Sequence, residues 1–181
     1  DEVERLITKH RKLVEDSRRR VEELLRRNAE LIKTSKRRVE ELLERNRRLA
    51  EELRRLLKEG QSEETIKELL ERLRKHVKET DDELRESNKR LNDHVKRTNE
   101  ETEKLNRELN KVAKEIKDRI KGDEVLRRVE DSNRRANETH KDLNRKNKEL
   151  NEEANRTHEE LLRRNEKLLR EIEDTVDRET K

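Results

Sequence analysis

The chain has 181 residues, of which 54% are charged, 25% are hydrophobic and none is aromatic. Proline, methionine and cysteine are also missing, which excludes disulfide bonds and thiolate metal sites. The 51 basic residues nearly balance the 47 acidic ones and leave a net charge of +4, so self-repulsion is weak and does not favour a disordered chain.

Two glycines divide the sequence into three long segments in which apolar residues recur at helical spacing. At Gly60-Gln61-Ser62, glycine favours the left-handed conformation that ends a helix, and Ser62 is typical of the residue that caps the next one. Gly122-Asp123-Glu124 follows the same pattern. We therefore predict helices at about residues 1–59, 63–121 and 124–181, in a single domain over residues 1–181.

Short turns place consecutive helices side by side in opposite directions. The predicted fold is therefore all-α: an up-down-up antiparallel three-helix bundle, or coiled coil, of three straight helices of about 58 residues each. On helix 1 the apolar side chains, Leu31 among them, fall within an arc of about 120°, which predicts that they form the core.

Helix 1 contains an internal repeat of eighteen residues. Residues 17–28 read SRRRVEELLRRN, and residues 35–46 read SKRRVEELLERN. Eighteen residues complete five turns at 3.6 residues per turn, so equivalent residues lie at the same angle and the helix needs no supercoil. Asn and Ser lie near the middle of the apolar face, which directs polar side chains into the core.

The antiparallel arrangement predicts which polar residues meet. If residue numbers sum to about 122 across the first turn and to about 244 across the second, Asn28 faces His94, and Asn46, one repeat later, faces His76. The predicted buried network has four layers, with His10 on the same helix face: Asn28, His94, Asn147 and Asn151; Asn46, His76 and Asn165; Ser17, Thr102 and His140; Ser35, Ser87 and His158. A buried amide or imidazole without a partner costs about 1–3 kcal/mol, so we expect these residues to be hydrogen-bonded to one another.

Helices 2 and 3 carry wider uncharged faces than helix 1. Six asparagines at matching spacings of seven and then eleven residues supply the extra width: Asn92, Asn99 and Asn110 on helix 2, and Asn137, Asn144 and Asn155 on helix 3. Asparagine is a poor helix former, so this regular placement indicates a role. The six residues either close networks at the rim of a monomer or line an interface with further copies or with a separate partner helix. We favour a homo-oligomer through helices 2 and 3.

Five histidines suggest a metal site, but their spacing opposes one. His76 and His94 are eighteen residues apart on one helix, as are His140 and His158, which separates each pair by about 27 Å. The layer around Ser17 resembles a catalytic set only superficially, because a straight bundle is expected to offer no cavity beside it. We predict no catalytic residue, no metal, no cofactor and no small-molecule substrate.

The basic runs at residues 18–20 and 37–38 do not form a nucleic-acid site. Glutamates follow each run within the next few residues, and no aromatic side chain is present to stack on bases. A mixed-charge surface explains these residues. No apolar run approaches the roughly 20 residues that span a bilayer, so no membrane segment is predicted.

The eighteen-residue repeat, the polar layers between Leu layers, the short glycine turns and the lack of six residue types resemble the de novo designed helical bundles with buried hydrogen-bond networks. The resemblance covers the whole chain. It implies a structural or self-assembly scaffold without natural activity or natural localisation, soluble on recombinant cytoplasmic expression, whose networks specify register and pairing. Natural coiled-coil adaptors or spacers are the alternative, although spectrin-like repeats normally contain aromatic residues and methionine.

In some proteins of that designed type, buried histidines make assembly sensitive to pH. The physical reason applies here, because a neutral imidazole both donates and accepts a hydrogen bond whereas its cation only donates. Protonation within a dry layer would remove an acceptor and bury a charge. We therefore expect stability or assembly to fall below the histidine pKa values.

Overall fold

A computed structural model describes residues 1–180, and all regular structure in this range is helical. α1 spans Glu2–Lys58, α2 spans Glu63–Arg119 and α3 spans Glu124–Glu179. The predicted all-α fold of three long helices is confirmed. α2 ends two residues before the predicted limit of 121, and Lys181 lies outside the described residues.

The first turn ends α1 with paired backbone hydrogen bonds. Gly60 N–H donates to Leu57 O at 3.2 Å, and Gln61 N–H donates to Leu56 O, also at 3.2 Å. This pattern requires a left-handed residue after the helix, and Gly60 has a φ of +72°. Two backbone carbonyls of the last turn of α1, those of Leu56 and Leu57, are thereby hydrogen-bonded, as predicted from the glycine at position 60.

Side chains begin the next two helices. Ser62 Oγ accepts a hydrogen bond from Thr65 N–H at 3.3 Å, and Asp123 Oδ1 accepts one from Val125 N–H at 3.4 Å. Each bond satisfies one of the amide groups that the first helical turn leaves without a backbone partner. The capping roles predicted for Ser62 and for the Gly122 turn agree with this geometry.

Packing divides the described chain into two compact units. Unit 1 comprises Asp1–Glu30 and Asn92–Asn151, and unit 2 comprises Leu31–Leu91 and the part of α3 that starts at Glu152. Each unit therefore contains one segment of each helix. The single domain expected from the sequence remains a prediction.

Each unit has its own apolar core. In unit 2 the buried residues are Leu49, Ala50, Leu53, Ile66, Leu70, Leu73, Val77, Ile172 and Val176. In unit 1 two smaller clusters form, one from Val21, Leu24 and Leu143 and the other from Val112, Ile116 and Val129. Polar layers lie along the same helix faces as these clusters.

Contacts inside each unit fix the register of α1 against α2. In unit 1, Arg20 Nη2 donates to Glu101 Oε2 at 3.0 Å, and these residue numbers sum to 121. In unit 2, Asn46 Nδ2 donates to Thr80 Oγ1 at 2.9 Å, with a sum of 126. Both sums lie close to the expected 122, so the two helices run antiparallel in the predicted register.

The third helix follows the same geometry. In unit 1, Asn144 Nδ2 on α3 donates to Thr102 Oγ1 on α2 at 2.8 Å, and these numbers sum to 246, close to the expected 244. In unit 2, Ser35 on α1 and His158 on α3 are hydrogen-bonded at 3.3 Å and differ by 123 residues, as parallel helices require.

One core prediction is wrong. Leu31, which the apolar arc of α1 places in the core, is 37% exposed. Leu150 on α3 is 38% exposed as well. A periodic arc defines the face of a helix but not how closely the neighbouring helices cover its edges.

Replacing Gly60 by alanine should lower the free energy of unfolding by about 1–2 kcal/mol, because a Cβ is disfavoured in the left-handed conformation. No atom of the described residues lies within 4 Å of an added Cβ, so the backbone alone causes this loss. Chemical denaturation followed by helical circular dichroism measures it. Gly60→Asn should lose less, since asparagine tolerates this conformation, and an unchanged Gly60→Ala variant would contradict the account.

Candidate functional site: the buried polar layers

The structure buries most of the residues predicted to form a network. Twelve of the fourteen are almost fully buried: His10, Ser17, Asn28, Ser35, Asn46, Ser87, Thr102, His140, Asn147, Asn151, His158 and Asn165. His76 and His94 are half-buried. The structure also buries Thr80 and Thr98, which the sequence analysis did not identify.

The Asn46 layer, in unit 2, joins all three helices. Asn46 Nδ2 donates to Thr80 Oγ1 and to Asn165 Oδ1, both at 2.9 Å. Asn165 Nδ2 in turn lies 3.3 Å from Asp81 Oδ1. His76 takes part through its backbone, because its carbonyl oxygen accepts the Thr80 hydroxyl at 2.8 Å. The predicted pairing of the Asn46 and His76 side chains is therefore replaced by pairing with Thr80.

The Asn28 layer, in unit 1, is the same layer one repeat earlier, but it is not closed. Neither polar atom of the Asn28 side chain has a hydrogen-bond partner within residues 1–180, and the same is true of Asn147. Both side chains are fully buried. His94 Nε2 likewise has no hydrogen-bond partner within these residues, and Thr98 Oγ1 donates to the His94 carbonyl at 2.9 Å. The predicted Asn28–His94 hydrogen bond is absent from the described chain.

The His158 layer, in unit 2, is a continuous chain of hydrogen bonds. His158 Nδ1 lies 2.5 Å from Asn88 Oδ1, and His158 Nε2 lies 3.3 Å from Ser35 Oγ. An amide oxygen only accepts, so Nδ1 carries the proton and Nε2 accepts from the serine hydroxyl. Ser87, predicted in this layer, accepts instead from Arg90 Nη2 at 3.3 Å.

The His140 layer, in unit 1, repeats only half of this arrangement. His140 Nδ1 donates to Asn106 Oδ1, as His158 does to its own asparagine. Ser17 Oγ, however, donates to Val14 O at 2.9 Å, and the expected bond to His140 is not formed in residues 1–180. Thr102, also predicted in this layer, accepts a hydrogen bond from Asn144 Nδ2 at 2.8 Å.

His10 begins a network that leads to the surface of unit 1. Its Nε2 lies 3.1 Å from Asn133 Oδ1. Asn110 Oδ1 then accepts from Asn133 Nδ2 at 2.8 Å and from Asn137 Nδ2 at 3.0 Å. One repeat further along α3, Asn151 Nδ2 donates to Asn92 Oδ1 at 2.6 Å.

The six asparagines predicted at an interface lie along the α2 and α3 faces. Asn92 and Asn110 are exposed, and Asn99, Asn137, Asn144 and Asn155 are half-buried. Asn92, Asn110, Asn137 and Asn144 bond across the two helices within the chain. These contacts correspond to the rim networks that the sequence left open as the alternative to an interface.

Sequence reasoning missed Asn88 and Asn106, which receive the imidazole protons. The two residues are eighteen positions apart, as are Thr80 and Thr98, so the repeat itself carried the signal. Thr102 and Ser87 have the same place in the predicted Ser17 and Ser35 layers, but they are fifteen residues apart and therefore do not share an angle on the helix. Applying the repeat length consistently to α2 identifies both pairs.

Burial lowers the pKa of His140 and of His158, because desolvation penalises the imidazolium form. Burial likewise lowers the pKa of His94, although the nearby backbone of Leu24 acts in the opposite direction. The pKa of His76 is lowered first by burial and then by nearby cations. At pH 7 all four imidazoles are therefore mainly neutral, and a neutral imidazole can both donate and accept a hydrogen bond.

Burial has the opposite effect on an acid. It raises the pKa of Asp81, against the hydrogen bond from Asn165, which favours the carboxylate. The charge of Asp81 is thus disfavoured at the edge of the Asn46 layer.

Beside Ser17 the expectation that a packed bundle leaves no cavity is wrong. A cavity of about 630 Å³ lies between α1 and α3 in unit 1, and both Ser17 and His140 line it. Among residues 1–180, no three His, Asp or Glu side chains are placed to hold a metal ion. No helix of the described chain has the length and apolar character needed to cross a membrane.

Comparisons with known proteins do not assign the chain to a family. No protein-family model matches the sequence, and the search of curated proteins gives no match. Among solved structures, a computationally designed three helix bundle is similar at 19% sequence identity with a TM-score of 0.39, over 99% of this chain and 84% of that one. A likeness of this size is too weak to assign a function.

The repeat supplies a matched pair of mutations. Asn46→Leu should lower the free energy of unfolding by about 1–3 kcal/mol, because it leaves partners of the amide unpaired in the core. Asn28→Leu should be neutral or stabilising, because the Asn28 side chain makes no hydrogen bond within the described chain. Urea denaturation of both variants measures the difference. Equal losses at the two positions would contradict the layers as described.

Proposed function

We propose that this chain is a designed structural scaffold without natural activity, in which buried Asn, Ser, Thr and His side chains fix the register and pairing of the helices. The observation that carries the proposal is the repetition of specific hydrogen bonds. The His140–Asn106 bond recurs as His158–Asn88, with both partners displaced by eighteen residues in opposite directions along the chain. Antiparallel helices require this opposite displacement.

Composition supports a designed origin over a natural coiled-coil adaptor or spacer. The chain lacks Pro, Phe, Trp, Tyr, Met and Cys. An average soluble sequence of this length would contain about nine prolines. A natural spacer also has no evident need for buried amides that weaken its helices, whereas a scaffold with one intended pairing does.

Register is the property that polar layers control best. Leucine tolerates many apolar neighbours, but Asn46 Nδ2 makes both of its hydrogen bonds only where Thr80 and Asn165 meet it. A shift of one residue along α1 would break both bonds and bury unpaired amides. The layers therefore raise the free energy of wrong pairings more than they stabilise the correct one.

Removing one whole layer tests this role. The triple variant Asn46→Leu, Thr80→Val and Asn165→Leu should remain helical and close to the unmodified chain in its resistance to urea, because both sides of the Asn46–Thr80 and Asn46–Asn165 bonds become apolar. Two-dimensional proton–nitrogen NMR spectra should nevertheless show more than one amide peak for many residues, since register is no longer specified. The unmodified chain should show one peak per residue, and a variant that also shows one peak per residue would contradict the proposal.

Self-association through α2 and α3 remains part of the proposal. It predicts that sedimentation equilibrium gives the unmodified chain a mass of at least two chains of 22.2 kDa each. A mass of 22.2 kDa would mean that the six asparagines predicted at an interface on α2 and α3 pair only within one chain. The role of the layers in register would be unaffected by that result.

We further propose that the buried histidines make folding sensitive to pH. In the unfolded chain they titrate near pH 6.5. Because burial lowers the pKa of His140 and His158 in the folded state, the unfolded state binds more protons below about pH 6.5. Their contribution to stability is therefore complete above that pH and is lost as the pH falls. Asp81, whose pKa is raised by burial, opposes this loss at more acidic pH.

The free energy of unfolding should accordingly decrease steadily from pH 7 to about pH 4. The double variant His140→Gln and His158→Gln should show a smaller decrease, because the amide can still donate and accept but does not titrate. Denaturation curves at several pH values measure both slopes. A stability that is flat over this range in the unmodified chain would rule out the pH response.

A further inference from the structure

The cavity between α1 and α3 in unit 1 combines a small apolar surface, two buried polar side chains and a set of exposed charged residues, namely Arg18, Glu22, Arg128, Asp131 and Arg135. Its volume is about 630 Å³, and its lining includes Val14, Val21, Ala136, Ser17 and His140. An engineered cavity of about 150 Å³ is large enough to bind benzene, so this one has room for a bicyclic ring. Both polar side chains are 1% exposed.

The tautomer of His140 follows from its bond to Asn106. The amide oxygen Oδ1 only accepts, so His140 Nδ1 must donate to it. In the neutral ring the other nitrogen, Nε2, then carries a lone pair and no proton. Burial lowers the pKa of His140, which keeps the ring in this neutral form near pH 7.

The repeat indicates what is missing at this nitrogen. In the His158 layer the equivalent Nε2 pairs with Ser35 Oγ at 3.3 Å. In the His140 layer the Ser17 hydroxyl donates to Val14 O at 2.9 Å instead. His140 Nε2 receives no hydrogen bond from any residue between Asp1 and Thr180. An acceptor on a residue that lines the cavity is thus left without the donor that its counterpart has in the other repeat.

We propose that this cavity is a binding site for small, neutral aromatic alcohols, whose hydroxyl donates to His140 Nε2 in the place that serine occupies in the other repeat. The ring packs against Val14, Val21 and Ala136. A phenolic hydroxyl is a strong donor and brings no charge into the interior. A carboxylate cannot take this place, because its ionised form has no proton to donate to His140 Nε2, although Arg18, Arg128 and Arg135 also line the cavity.

The proposal is tested with 2-naphthol and, as a probe of equal shape without a donor, 2-methoxynaphthalene. At neutral pH 2-naphthol should bind saturably, one molecule per chain, and about tenfold more tightly than the methyl ether, as expected for one hydrogen bond. Naphthol fluorescence or isothermal titration calorimetry measures both affinities. No saturable binding of 2-naphthol, or equal affinity for the two probes, would overturn the proposal.

Two histidine variants form a matched pair. His140→Leu should abolish the preference for 2-naphthol, whereas His158→Leu, which changes the equivalent residue of the other repeat, should keep it. Helical circular dichroism verifies that each variant is folded. Equal loss of the preference in both variants would contradict a site at His140.

Two further variants test the site without changing either histidine. Ala136→Leu fills the cavity, so it should abolish binding of both probes. Ser17→Ala should retain the tenfold preference, because the ligand hydroxyl rather than serine donates to the ring. Loss of the preference in Ser17→Ala, or unchanged binding in Ala136→Leu, would overturn the assignment.

Discussion

A hydrogen-bonding group that leaves water loses free energy unless it finds another partner inside the protein, and this cost limits how the helices of this chain can pair. Apolar contacts alone would allow many alignments, because one leucine packs against another almost anywhere along a straight helix. Asn46, fully buried and bonded to Thr80 and Asn165, permits only one alignment in its unit. The cost of an unpaired amide in the core, about 1–3 kcal/mol, is a large part of the net stability of an ordinary domain.

Helix geometry allows the same solution to be used more than once. Because eighteen residues make five complete turns, a hydrogen bond that fits at one level fits again one repeat away. Asn133 donates to Asn110, and Asn151 donates to Asn92, in the same manner. Departures from the repeat are therefore informative. Asn28 makes none of the bonds of Asn46 within the described chain, and Ser17 makes a backbone bond where Ser35 meets a histidine.

The sequence predicts the coarse structure well because strong local signals define it. Gly60 and Gly122 mark both turns, and equal helix lengths then set the antiparallel register to within a few residues. Individual hydrogen bonds are harder to predict. A buried serine has a carbonyl of its own helix within reach as well as a neighbouring imidazole, so sequence does not decide between Val14 and His140 as the partner of Ser17. The edges of the core depend on how closely helices approach, which is why Leu31 is exposed.

The central claim is that a closed polar layer, such as the one around His158, is dry and hydrogen-bonded, and the nitrogen chemical shifts of the His158 imidazole test it most directly. Asn88 Oδ1 and Ser35 Oγ together require a neutral ring with its proton on Nδ1. Two-bond proton–nitrogen spectra across a pH series should therefore show this tautomer at neutral pH, and a pKa below 6.5, the value of an ordinary histidine. A ring that carries its proton mainly on Nε2 and titrates like a histidine in water would contradict the account.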